Sequence, residues 1–146
     1  MEALSKKSAE ELIAEFGLQE HIEGGYYKQT YRSEHSTAIY YLVSKGSGIV
    51  WHRIRGRDEL WHYYAGDPIE VSLANPEGVS MGKRVVGPDL TKGQTFQLLI
   101  PGDHWQSAKC LDGGKWTLFG CTVSPAFEYK YLQIAPDDFK PKEGTD

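Results

Sequence analysis

Apolar and polar residues alternate along most of this chain, and Gly, Pro, Asn or Asp breaks the alternation at short intervals. A period of two marks strands with one buried face. Ten segments carry it: 26–32, 37–43, 49–55, 59–64, 69–73, 79–86, 95–100, 105–110, 116–123 and 129–134. They are rich in Tyr, Val, Ile, Thr and Trp, which suit a pleated, half-buried surface. One segment has the other period. Ser8-Ala9-Glu10-Glu11 has the form of a capping box, Leu12, Ile13 and Phe16 follow at helical spacing, and Gly17 supplies the stop. The pattern predicts one helix over 9–16, its apolar stripe laid on the outside of a sheet. Many short strands without intervening helices point to an all-β antiparallel sandwich or barrel. No repeat interrupts the chain. The polar stretch from Lys140 to Asp146 reads as a disordered tail, which leaves an ordered core of about 8–136 and a tail over 137–146.

Composition narrows the classes. A length of 146 residues fits one domain able to bury a core without staples. A net charge of −4 and a pI near 5.7 argue against a nucleic-acid partner, whose footprint would be basic and clustered. No apolar run approaches the length of a membrane span, and Met1-Glu2-Ala3-Leu4-Ser5-Lys6-Lys7 lacks the apolar core of a signal peptide. The expectation is a cytoplasmic protein with no membrane partner. The cysteines agree with a reducing compartment. If Asp112-Gly113-Gly114-Lys115 is a hairpin turn, Cys110 faces Thr117 and Cys121 faces Gln106. The thiols then lie roughly 13 Å apart along the ladder, beyond the ~7 Å reach of a disulfide, and two free, apolar-packed cysteines are expected.

Candidate chemistry concentrates in Trp51–Gly66, where two histidines, an acidic pair, three arginines and several aromatics crowd together. Charged side chains are seldom buried unless paired or bound, and aromatic walls with a few polar groups make a small-molecule pocket. Strand parity puts His52 and Ile54 on one face of the first strand. It puts Glu59, Trp61 and Tyr63 on one face of the next, with Leu60, His62 and Tyr64 opposite. His52 and Glu59 form a plausible acid–base dyad, and Tyr63 a second proton donor. Trp61 and Tyr63 are able to stack on a ring. His62 falls off the Glu59 face, and His21, His35 and His104 sit in loops as expected surface residues. At least two of Arg53, Arg55 and Arg57 read as a solvated edge.

The spacing of His52, Glu59 and Gly66, with Pro101 ahead of Asp103 and Gln106, resembles the two cupin motifs. The resemblance is closer to the small cupin-5 branch, through Glu23-Gly24-Gly25-Tyr26-Tyr27, Thr30-Tyr31-Arg32-Ser33, Ser36-Thr37-Ala38-Ile39-Tyr40-Tyr41, Trp51-His52-Arg53, Asp58-Glu59-Leu60-Trp61-His62, Ala65-Gly66-Asp67-Pro68 and Gly120-Cys121-Thr122-Val123-Ser124-Pro125. Ile22, Asp103-His104 and Ala126 depart from that pattern. The resemblance implies an RmlC-like jelly-roll barrel with an interior pocket, usually paired as a homodimer. It is similar in fold to sugar-nucleotide epimerases and isomerases and to non-catalytic binding cupins, with no single activity across the branch. Two of the four metal positions in the cupin pattern hold Ile54 and Gln106. Ile has no lone pair, an amide oxygen is a poor transition-metal ligand, and a catalytic zinc needs three good ligands. No cofactor is therefore expected, and a weak divalent metal at His52 and Glu59 stays open. The functional expectation is a pocket for a polar, sugar-nucleotide-like metabolite, lined by His52, Glu59, Trp61, Tyr63, Gln106 and Cys121. Its chemistry is metal-independent epimerase or isomerase chemistry, with a non-catalytic binding protein as the alternative and a metal-dependent oxygenase as a third, weaker case.

Overall fold

The computed structural model describes residues 2–111 and 114–144. A short helix α1 (Glu2–Ser5) precedes α2 (Ala9–Phe16), and eleven strands follow: β1 (Gln19–Glu20), β2 (Tyr26–Arg32), β3 (Thr37–Ser44), β4 (Gly48–Ile54), β5 (Asp58–Gly66), β6 (Ile69–Ala74), β7 (Ser80–Val86), β8 (Gln97–Ile100), β9 (Trp105–Cys110), β10 (Trp116–Ser124) and β11 (Leu132–Ile134). All ladders between these strands are antiparallel. They form a six-stranded sheet in the order β1-β2-β3-β10-β5-β8 and a five-stranded sheet in the order β11-β4-β9-β6-β7. This is the antiparallel two-sheet architecture that the alternation predicts, in the jelly-roll form that the cupin resemblance implies.

The two sheets close on one apolar core. Tyr41, Val43, Trp61, Phe119 and Cys121 face inward from the six-stranded sheet, and Ile49, Ile69, Val71, Leu73, Ala108 and Cys110 from the other. Neighbouring strands β3, β10 and β5 each contribute one ring to a stack. Tyr41 lies 5.1 Å from Phe119, and Phe119 lies 4.5 Å from Trp61, with planes nearly parallel. Helix α2 covers the outer face of this sheet, burying Leu12 against Leu42, Ala65, Trp116 and Leu118. The Ser8 hydroxyl accepts from the Glu11 amide and the Glu11 carboxylate accepts from the Ser8 amide, as the capping box requires, and Gly17 ends the helix in the left-handed region. A bulge opposite Leu118/Phe119 skips Tyr64, so Tyr63 stays on the inner face while Ala65 turns out toward α2.

Three expectations need correction. The Gly-rich turn is not a ladder hairpin: β9 pairs with β4 and β6, whereas β10 pairs with β3 and β5. The chain crosses from one sheet to the other there, and Asp112 and Gly113 themselves lie outside the described residues. Cys110 and Thr117 still approach, Sγ to Oγ1 3.6 Å, but across the barrel. Both cysteines are free and buried. The tail is docked as far as Lys142: Phe139 packs on Trp51 and Trp105, and Lys142 exchanges backbone hydrogen bonds with Gly78 and Ser80, while Thr145 and Asp146 lie outside the described residues. Finally, α1 and the two-residue β1 carry too little sequence for a period to show. Among the described residues no helix is long and apolar enough to cross a membrane.

Candidate functional site

Four of the predicted residues meet inside the barrel, but not through the expected register. His52 on β4 and Gln106 on β9 are cross-strand partners in the five-stranded sheet. Glu59 on β5 and Cys121 on β10 come from the facing sheet. The Gln106 amide bridges the two: its Nε2 donates to Glu59 Oε1 at 2.6 Å. An indole N–H is a donor only, so Trp61 Nε1, 3.1 Å from Gln106 Oε1, fixes which way that amide faces. Trp61 is thus a wall behind the site rather than a platform in it. Its ring is already stacked on Phe119.

Glu23 and His21 were not expected here. They sit in the turn between β1 and β2, where no periodicity marks a residue as inward. The turn is pinned to the start of β4: the Val50 amide donates to the Glu23 carbonyl, and Gly24 and Gly25 have positive φ. A Cβ on Gly24 would lie 2.1 Å from the Gly48 carbonyl oxygen, and one on Gly25 would lie 2.6 Å from the Tyr41 ring. Only glycines allow this approach, and it drives the Glu23 carboxyl inward, where the residue is 7% exposed. The His21 side chain, expected at the surface, is 5% exposed and stacks on Tyr41.

Proton positions follow from the partners. His52 Nδ1 lies 2.8 Å from the Val50 carbonyl, an acceptor only, so Nδ1 carries a hydrogen. His52 Nε2 lies 3.2 Å from Glu23 Oε2, and one proton serves that contact. Burial raises the Glu23 pKa and lowers that of His52. Both effects put the shared proton on the carboxyl, as Glu23 O–H donating to a neutral imidazole. Tyr41 supports the other oxygen, its hydroxyl donating to Glu23 Oε1 at 3.2 Å while also reaching the Gly24 carbonyl. His21 Nδ1 accepts the Glu23 amide at 3.1 Å, so its hydrogen is on Nε2, and burial keeps the ring neutral. Burial, and next the neighbouring Glu23, push the Glu59 carboxyl above the usual range. The fields of His52, Gln106 and the Cys121 thiol pull the other way. Burial also raises the Cys121 pKa, so it is a thiol and not a thiolate.

A cavity of about 220 Å³ opens onto this cluster, lined among others by His21, Glu23, Glu59, Cys121, Tyr27 and Tyr129, with Arg32 at its edge. His52, Gln106 and Trp61 stand behind the lining. Tyr63 is on the inner face but four residues from Glu59, roughly 13 Å along the strand, and its hydroxyl donates to the Gly66 carbonyl at 2.7 Å. The structure therefore does not bring Tyr63 to the cluster. His62 lies on the opposite face, 3.0 Å from Thr122 Oγ1, and His35 is exposed.

The donor set does not suit a tightly bound transition metal. Ile54 is a wall of the cavity, Gln106 turns its NH₂ rather than its oxygen toward Glu59, and both His52 nitrogens are engaged. Among the described residues no three His, Cys, Asp or Glu side chains converge as a metal site would require.

Residues 10–135 match the model of the Cupin_5 family, described as Cupin superfamily (DUF985). No curated protein matches the sequence. Among solved structures, the chain is similar to protein SO0799 from Shewanella oneidensis, at 29% identity and TM-score 0.82 over 88% of this chain and 85% of that one. It is also similar to a hypothetical protein from Leishmania major, at 28% identity and TM-score 0.84 over 91% and 90%. A dTDP sugar isomerase from Desulfovibrio desulfuricans shares the fold at 17% identity and TM-score 0.59, over 84% and 85%.

Proposed function

The chain belongs to the Cupin_5 family, and from that premise we propose that its barrel binds a small polar metabolite and moves protons on it without a tightly held metal. The observation that carries this is the pair of buried carboxyls, Glu23 and Glu59, both lining an open cavity. Buried carboxyls are costly, and these two have different supports. Glu23 is backed by His52: passing its proton to Nε2 leaves a carboxylate able to take a proton from a carbon next to a carbonyl. Glu59, whose pKa burial raises, is the matching acid. The anion it leaves is met by the Gln106 amide and the Cys121 thiol. A carboxyl tuned toward neutrality is what proton transfer at pH 7 needs. In this assignment His52 is a positioning and proton-storing residue, and Tyr63 has no role in the transfer.

The cavity, about 220 Å³, is below the ~300 Å³ at which drug-sized sites begin. It suits a single sugar ring or a hydroxy acid, and any nucleotide attached to one would lie outside. We include the homodimer in the proposal: β8 is a sheet edge, Phe96 and Leu99 are 49% and 53% exposed there, and unpaired apolar edges favour association. Light scattering reads the dimer directly. The chemistry is tested by incubating the protein with aldoses, ketoses and hydroxy acids in D₂O and following loss of the proton next to the carbonyl by NMR. Exchange that falls about 10²–10⁴-fold in Glu59→Gln supports the proposal. Binding without exchange would show a non-catalytic binding protein instead.

A further inference from the structure

The interior cluster accounts for the imidazoles and carboxyls but leaves two guanidinium groups unexplained. Arg32 lines the interior cavity and also a second, outer groove of about 440 Å³, shared with Ser33, Glu34, Arg57, Ala126 and Glu128. The two depressions therefore meet at one side chain.

Both arginines are held in place by the same short stretch of backbone. Arg57 Nε donates to the Ala126 carbonyl at 3.2 Å, and its guanidinium lies 3.5 Å over the Tyr131 ring. Arg32 Nη2 donates to the next carbonyl, Phe127, at 2.9 Å, and Nε to Gln29 Oε1 at 3.0 Å. The carbonyls of consecutive residues thus fix two cations along one groove, with both Nη groups of Arg57 and Nη1 of Arg32 left to donate. Among the described residues neither guanidinium has a carboxylate partner. Of the nearby acids, Glu128 pairs with Lys130 at 3.6 Å, and the Glu34 carboxylate is turned out to solvent beside the His35 ring at 3.3 Å. The Ser33 hydroxyl accepts from the His35 and Ser36 amides and keeps its own proton to donate.

Two fixed, unpaired guanidiniums in a protein of net charge −4 are what an oxyanion needs. The planar fork of Arg matches phosphate oxygens two at a time, and anchoring beforehand reduces the ordering cost. We infer that Arg32 and Arg57 form a phosphoryl subsite, and that the ligand is a phosphate ester whose polyol end enters the barrel. The inference rests on the proposal that the barrel takes a small polar group, and it narrows the substrate class to a sugar phosphate or, with a longer anionic bridge, a nucleotide-linked sugar. No bond is made or broken at this subsite.

The test is calorimetric titration at fixed ionic strength with a free hexose, its 1-phosphate, a nucleotide-diphosphate hexose and inorganic phosphate. The phosphate ester is expected to bind at least about tenfold more tightly than the free hexose, since a charged hydrogen bond contributes that much. Arg57→Gln should erase the advantage and leave the free-hexose affinity where it was. Arg57→Lys, which keeps the charge but loses the fork, should retain only part of it and guards against misfolding of the Gln variant. A larger gain for the nucleotide sugar than for the hexose phosphate identifies the diphosphate as the recognised group. Equal affinity for hexose and hexose phosphate, or a phosphate advantage that survives Arg57→Gln, overturns the subsite and leaves the barrel proposal standing. Arginine-dependent binding of inorganic phosphate without any contribution from the hexose keeps the subsite and overturns the barrel proposal.

Discussion

Glu59→Gln should stabilise this protein, and by an amount that grows with pH. The substitution keeps the shape of the side chain. Its amide oxygen takes the Gln106 donor that now reaches Glu59 Oε1 at 2.6 Å, and its NH₂ faces the cavity that Glu59 lines, so at most the weak S–H donor of Cys121 loses an acceptor. What it removes is the titration. Burial and the adjacent Glu23 raise the folded-state pKa of Glu59 above its ordinary 4.5. In the window that starts near pH 4.5 and ends at the raised value, the unfolded chain has lost this proton while the folded one keeps it. The unfolded state binds fewer protons there, and wild-type stability falls as pH rises, by at most about 1.4 kcal/mol per pH unit for one proton. His21 and His52 act in the opposite sense: their folded pKa values are lowered, so their contribution grows with pH and is complete above the unfolded value of 6.5. His21 is common to both proteins and cancels in the difference; His52, whose pKa the Glu59 charge raises, falls further in the variant and adds to the divergence in the same sense. Urea unfolding of wild type and variant from pH 4.5 to 8 should give curves that nearly meet at the acid end and diverge as pH rises. Parallel curves would show that Glu59 is not strained by its burial and would remove the physical basis for its role as an acid.

Trp61→Phe should cost about 1–3 kcal/mol by urea titration, because it strands the buried Gln106 carbonyl oxygen that the indole now satisfies. Gly24→Ala puts a Cβ 2.1 Å from the Gly48 carbonyl at a positive φ. It should cost more than about 2 kcal/mol, and circular dichroism with ligand titration should show the Glu23 turn displaced or the fold lost. Cys110 and Cys121 are buried thiols with raised pKa; a disulfide-exchange reagent at pH 8 should label neither on the timescale that labels both after denaturation.

The elements that bury a face were legible in the sequence because burial imposes a period. The helix over 9–16, the strands over 69–73 and 105–110, and the inward parity of His52, Glu59 and Trp61 are all consequences of that one constraint. Partnership was less legible. A Gly-Gly turn between two alternating segments reads as a hairpin, yet in a jelly roll the same turn carries the chain between sheets, and nothing local distinguishes the two. Cys121 and Gln106 still meet Glu59, because facing inward is a matter of parity and survives the wrong pairing. Glu23 and His21 had no such protection, since a turn has no period. The signal that could have found them is Glu23-Gly24-Gly25: adjacent glycines mark close backbone approach, and the charged residue before them is carried in with the backbone. The tail was misjudged for a related reason. Phe139 is one apolar residue among prolines and charges, too few to register as a pattern, yet enough to dock between Trp51 and Trp105.

One amide orientation decides what kind of interior this barrel has. Trp61 Nε1 cannot accept a hydrogen bond, so it holds Gln106 with the oxygen turned toward the indole and the NH₂ toward Glu59. A partial positive charge thus stands where the cupin pattern would put a lone pair. It supports a carboxylate at Glu59 as that group releases a proton and offers nothing to a cation. His52 is committed in the same sense, its Nδ1 to the Val50 carbonyl and its Nε2 to Glu23. With a metal, the charge on two buried carboxyls would be neutralised by the ion. Burial raises the pKa of both carboxyls toward the proton-bearing form, and one proton serves the contact between Glu23 and His52. A proton held this way can be handed to a ligand and taken back. In the proposed proton transfer Ile54 and Gln106 stand at the positions of metal ligands, and the indole behind Gln106 matters as much as the carboxyls in front.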